Sequence, residues 1–155
     1  MTPDPASVVA DADVLAADLL VGGPARDALD RVRQHDWMTL VATEPLLDDA
    51  TAVVSELGDD ALAADWRRRI EDLATVVDQP PGDHPALAAA LHGGAAHLLS
   101  FDAALTGAAG NVALSARVRT SVRTPEAFVT VFDAASLYEA VEGGPYPGPD
   151  RDPRG

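Results

Sequence analysis

Four aspartates stand where a carboxylate could do chemistry: Asp11, Asp49, Asp83 and Asp102. Asp11 comes directly after the apolar run Val8-Val9-Ala10, and Asp102 closes His97-Leu98-Leu99-Ser100-Phe101-Asp102. A carboxylate at the end of a buried strand loses part of its hydration and needs a partner to stay ionised. Acids of one sign repel unless a cation lies among them, and hard divalent ions such as Mg2+ or Mn2+ prefer oxygen ligands. Phosphodiester hydrolysis is the reaction such a cluster serves best, since bound metal lowers the pKa of water and neutralises charge developing on phosphate oxygens. Other chemistries drop out on composition. All 11 basic residues are Arg and there is no Cys, so lysine-dependent phosphate binding, Schiff bases, thiol nucleophiles and cysteine-ligated metals are excluded. The four histidines, His35, His84, His92 and His97, show no zinc-binding spacing.

The elements that must position these acids follow from hydrophobic periodicity. Strands are expected at Ser7 to Ala10, Met38 to Ala42, Ala74 to Val77, His97 to Phe101 and Ala116 to Val122. Between them lie helical patterns at Val14 to Val21, Ala25 to Gln34, Glu44 to Leu57, Ala61 to Leu73, about His84 to Leu91, Ala103 to Thr106 and Pro125 to Phe132. This β-then-α alternation predicts a three-layer α/β/α sandwich around a central, mostly parallel five-stranded sheet. In such a sheet ligands collect beyond the carboxyl ends of the strands. Asp11 and Asp102 fall there directly, and Asp83 lies past the third strand at the mouth of a helix. A helical wheel at roughly 100° per residue turns Asp48 toward water and sets Asp49 at the edge of the buried stripe, flanking Leu46 and Val53.

The 155 residues carry 25 acidic against 11 basic side chains, a net charge of −14, yet 47% are hydrophobic. That is enough apolar content for one domain, expected over residues 1–142, with a disordered Gly- and Pro-rich tail at 143–155. The start of the chain lacks a basic signal region and no apolar run approaches the roughly 18 residues of a membrane span, so a cytoplasmic location away from membranes is expected. Acid excess, Arg in place of Lys and an aromatic-poor core of Ala, Val and Leu resemble the proteins of salt-accumulating microbes. In molar salt, with a Debye length of about 3 Å, this self-repulsion is largely screened.

Read together, these segments resemble the PIN-domain ribonucleases. Val8-Val9-Ala10-Asp11-Ala12-Asp13-Val14-Leu15 is similar to that family's opening strand-end motif, although Asp13 stands where Asn is usual. Thr43-Glu44-Pro45-Leu46-Leu47-Asp48-Asp49 resembles the second motif, with Asp49 in place of the commoner Glu. Asp83-His84-Pro85-Ala86-Leu87 resembles the third, Ala95 through Leu105 the fourth, and Val122-Arg123-Thr124-Pro125-Glu126-Ala127-Phe128 the closing segment, so the ordered set spans about residues 7 to 132. The resemblance implies a metal-dependent endoribonuclease of the toxin or RNA-processing kind. Asp11, Asp49, Asp83 and Asp102 would hold one or two Mg2+ or Mn2+ ions and orient the attacking water, with Ser100 and Asp13 beside the substrate. RNA is then the substrate and an antitoxin protein a partner. Ala-rich helix surfaces suit a homodimer, although nothing in the sequence fixes one.

Plainer roles stand beside these. Asp83, Asp13 and Asp102 each suit a helix N-cap, and Asp49 suits a solvated helix face. Arg67-Arg68-Arg69 reads as a surface face rather than an RNA platform. The alternative at the level of the whole chain is a PIN-like binding or scaffold module without turnover, which the altered second acid and the scarcity of basic residues favour.

Overall fold

The computed structural model describes residues 4–78, 85–106 and 120–153. In chain order the elements are β1 (Asp4–Ala10), α1 (Ala12–Leu20), α2 (Gly23–Arg33), β2 (Thr39–Ala42), α3 (Glu44–Leu57), α4 (Asp60–Leu73), β3 (Ala74–Val76), α5 (Pro85–Gly93), β4 (Ala95–Leu99), α6 (Ala103–Thr106), β5 (Ser121–Arg123), α7 (Pro125–Val131) and α8 (Ala134–Val141). The five strands form one sheet in the order β3-β2-β1-β4-β5, with every neighbouring pair parallel. Helices cover both faces, giving the expected three-layer α/β/α sandwich.

Burial explains why the central strands are continuously apolar. Val8, Val9 and Ala10 of β1, Leu40 and Val41 of β2, and Leu98 and Leu99 of β4 are all shut off from solvent, as a parallel sheet covered on both faces requires. On one side α1 packs against α3 and α3 against α4, while α2 packs on α7. The amphipathic stripe of α3 buries Leu46, Leu47, Ala50 and Val54. Its bounds are those expected, because Thr43 caps its start, accepting from the Leu46 amide at 3.3 Å, and Gly58 follows its end.

Charged groups add ties between helices. Asp18, only 4% exposed, is gripped by the Arg33 guanidinium, joining α1 to α2. Arg67 binds Glu44, Asp48 and Glu71, joining α3 to α4. Asp48 is therefore not merely turned to water: its exposed carboxylate reaches sideways to Arg67 at 2.9 Å. Arg68 and Arg69 pair with Asp65 on the surface, as a solvated face should.

Three features differ from expectation. Strand β4 spans Ala95–Leu99, ending two residues before Phe101: the Ser100 amide makes a last cross-strand bond to the Arg123 carbonyl at 3.0 Å, and the chain then turns, with the Asp102 amide donating to the Ser100 hydroxyl. Helix α8 adds an element that the sequence reading lacked, and its cap is Asp133, which accepts from the Ser136 amide. Residues 143–153, expected to be a disordered tail, lie without regular structure but bonded to the end of α2. The amides of Asp150 and Arg151 donate to the Gln34 carbonyl, Arg151 donates to the His35 carbonyl at 2.8 Å, and Tyr146 Oη meets His35 Nε2 at 2.6 Å. His35 is 1% exposed, so it needs that partner. Of the expected fifth strand, residues 116–119 lie outside the described residues.

Candidate functional site

The chain leaves β1 to build β2 and β3 on one side, then returns to build β4 and β5 on the other. The edge beyond the carboxyl ends of β1 and β4 is therefore the topological switch point of the sheet, the place where open α/β folds bind ligands. Ala10 pairs with Leu99, so the next residue of each strand, Asp11 and Ser100, come side by side at that rim. One step further out along the other ladders, Thr43 follows β2 beside Asp11 and Thr124 follows β5 beside Ser100.

Asp11 is held on both carboxylate oxygens. Oδ1 accepts from the Ala12 amide at 2.8 Å and Oδ2 accepts from the Ser100 hydroxyl at 2.9 Å. Its own amide donates to the Leu99 carbonyl at 2.8 Å. The Ser100 hydroxyl in turn accepts from the Asp102 amide at 3.0 Å. Ser100 is completely buried, so its single hydroxyl fixes one acid by its side chain and the other by its backbone. Asp102 begins α6, its carbonyl accepting from Leu105 and Thr106.

Asp13, in the first turn of α1, accepts from the Phe101 amide at 3.2 Å. Its outer side meets solvent, yet burial of the remainder raises its carboxyl pKa. The charge of Asp11 and, more weakly, that of Asp102 push the same way, while the Phe101 and Val14 amides oppose them. Three acids from two segments thus crowd one another around Ser100. The helix cap falls to Asp11 and not to Asp13, because β1 runs into α1 with no linker and the strand-end residue is itself the N-cap.

The remaining expected site residues do not join this network. Asp49 is exposed on α3 and makes no hydrogen bond or ion pair among the described residues. Asp83 and its neighbour His84 lie outside the described residues. Among those described, no group of three or more His, Asp or Glu side chains is placed to hold a metal ion. The donor chemistry of Asp11, Asp13 and Asp102, oxygen only and mutually repulsive, nevertheless suits a hard divalent cation. Sequence reasoning did not anticipate how Ser100 joins the acids. The spacing Ser100-Phe101-Asp102 carries that signal, since a Ser two residues before an acid can accept its amide in a tight turn.

His97 packs against its neighbours behind the site. Its Nε2–H donates to the Pro5 carbonyl at 3.1 Å, and its ring meets Phe128 edge-on. Burial lowers its pKa, helped by the charge of Arg123.

Sheet order and side-chain contacts together define a parallel α/β/α protein whose topological switch point, between β1 and β4, brings Asp11 and Ser100 together. The chain belongs to the family of unknown function DUF7384, whose profile matches residues 2–154. No curated protein and no solved structure matches it. No helix among the described residues is long and apolar enough to cross a membrane.

Proposed function

We propose that the chain is a metal-dependent endoribonuclease of PIN-like type, hydrolysing RNA phosphodiester bonds at the β1/β4 rim. The observation that carries this reading is the bond from Ser100 Oγ to Asp11 Oδ2 across the switch point, with Asp102 in the turn that Ser100 opens and Asp13, from α1, accepting from the Phe101 amide of that turn. Asp11 and Asp102 would be the principal ligands for Mg2+ or Mn2+, and Asp13 would supply a further oxygen. When bound, such an ion supplies Lewis acidity and lowers the pKa of its water. The protein's own part is orientation. Ser100 and the Ala12 amide fix the Asp11 carboxylate, so a cation and a phosphate meet oxygens already in place. Helices α1 and α3 both start at this edge and direct amide dipoles toward an anionic substrate.

The test is cleavage of a fluorescent RNA with Mn2+ or Mg2+ at high salt, together with calorimetric titration of the metal. Cleavage abolished by Asp11→Asn and by Asp102→Asn supports the reading, and a wild-type chain that binds neither metal overturns it. A second reading, a PIN-like module that binds a partner without turnover, is favoured by the position of Asp49 outside the network. It requires RNA to stay intact under every divalent metal.

A further inference from the structure

Arginine is concentrated at one place on this molecule. Four of its 11 arginines, Arg26, Arg33, Arg69 and Arg151, line a single cleft of about 640 Å³. Asp18 and Leu19 bring the last turn of α1 to it, and Ile70 and Leu73 bring the end of α4, just before β3 begins. Helix α1 starts at the carboxyl rim and runs back along the sheet for about 13 Å at 1.5 Å per residue. The cleft therefore lies toward the amino ends of the strands, at the far end of the sheet from Asp11.

The state of each guanidinium matters. Arg33 is engaged by Asp18 and Asp30, and Arg69 pairs with Asp65 at 3.3 Å but is 81% exposed at its side chain. Arg26 donates to the carbonyls of Asp18 and Leu19, and Arg151 to those of Val32 and His35. A carbonyl has no formal charge, so these two keep most of their positive charge while being held in place. Arg151 has Asp150 only at 3.7 Å. Asp72 and Asp152 also line the cleft, which favours a ligand of low charge over a long polyanion. Trp66 and Ile70, nearly buried, give it an apolar floor.

We propose that this cleft binds a small organic phosphate of mononucleotide size, its phosphate on Arg69, Arg26 and Arg151 and its apolar body over Trp66 and Ile70. Planar guanidinium forks match phosphate oxygens, and the volume is that of a small-ligand site. The assignment is independent of the nuclease reading.

Calorimetry with AMP, adenosine and inorganic phosphate tests it, using the full chain at low salt in EDTA so that no metal carries nucleotide to the acidic rim. AMP is expected to bind saturably and at least about tenfold more tightly than either adenosine or phosphate, and Arg69→Gln to weaken it about tenfold, the equivalent of one charge-assisted bond. Asp72→Asn, which leaves the folded core untouched, is expected to tighten it several-fold. No saturable binding of AMP at millimolar concentration overturns the proposal. So does equal binding of AMP and adenosine, equal binding of AMP and phosphate, or AMP binding that neither variant changes.

Discussion

At the scale of single residues, the site separates stability from chemistry. Asp11 both caps α1 and faces Ser100, so Asp11→Ala is expected to cost about 1–2 kcal/mol of stability from the lost cap. Asp11→Asn keeps an acceptor oxygen for Ala12 and should hold its urea midpoint near that of the wild type while removing the metal-dependent cleavage proposed above. Asp13 has the opposite character. A carboxyl whose pKa is raised in the folded protein binds protons more tightly folded than unfolded, so stability falls as pH rises from its ordinary value of 3.8 through the raised one. Asp13→Asn should therefore melt higher than wild type at pH 7, with the difference vanishing below pH 3.8; a melting series across pH in EDTA checks this. Asp11 and Asp102 were legible as strand-end acids because alternation and chain order fix which residues end strands, whereas Ser100, expected inside its strand, was placed at the site only by the family resemblance. Asp49 was harder, since a helical wheel gives an angle around an axis but neither the height of a side chain nor the tilt of its helix.

At the scale of elements, α5 ends tightly over β2. A methyl group on Gly93 would lie 2.3 Å from Val41 Cγ1, a distance no relaxed side chain tolerates. Gly93→Ala is expected to destabilise by about 1–3 kcal/mol through overpacking. In a Val41→Ala background the same change should cost measurably less, because the methyl it meets is gone; a double-mutant cycle by urea unfolding reads this coupling. Helix α3 was readable to its ends because Thr43 and Gly58 punctuate a strong apolar stripe. Helix α8 buries no residue fully, so its pattern gave little to distinguish it from the polar chain beyond. The segment 143–153 was unreadable for another reason. Gly- and Pro-rich chain has no period, and its attachment rests on Tyr146 meeting a histidine 111 positions earlier. Tyr146→Phe should cost about 1–3 kcal/mol by leaving His35 Nε2 buried and unpaired, again measured by urea unfolding.

At the scale of the whole molecule, a net charge of −14 on 155 residues works against compaction. The melting temperature is expected to climb steadily from 0.05 to about 1 M KCl as the Debye length shrinks from roughly 14 to 3 Å; a flat profile would mean that the Arg67 and Arg33 clusters already neutralise the surface locally. The overall α/β/α class was legible because alternation of element types constrains layers strongly. The sheet order was not, since it depends on which edge β4 chooses after β3. That choice has a temporal consequence. Strand β1 is synthesised first but sits in the middle of the sheet, and the hydroxyl that orients Asp11 arrives 89 residues later. A chain emerging from the ribosome therefore carries Asp11 long before the Ser100 hydroxyl that aligns it, and the β1/β4 rim is assembled only once β4 has docked.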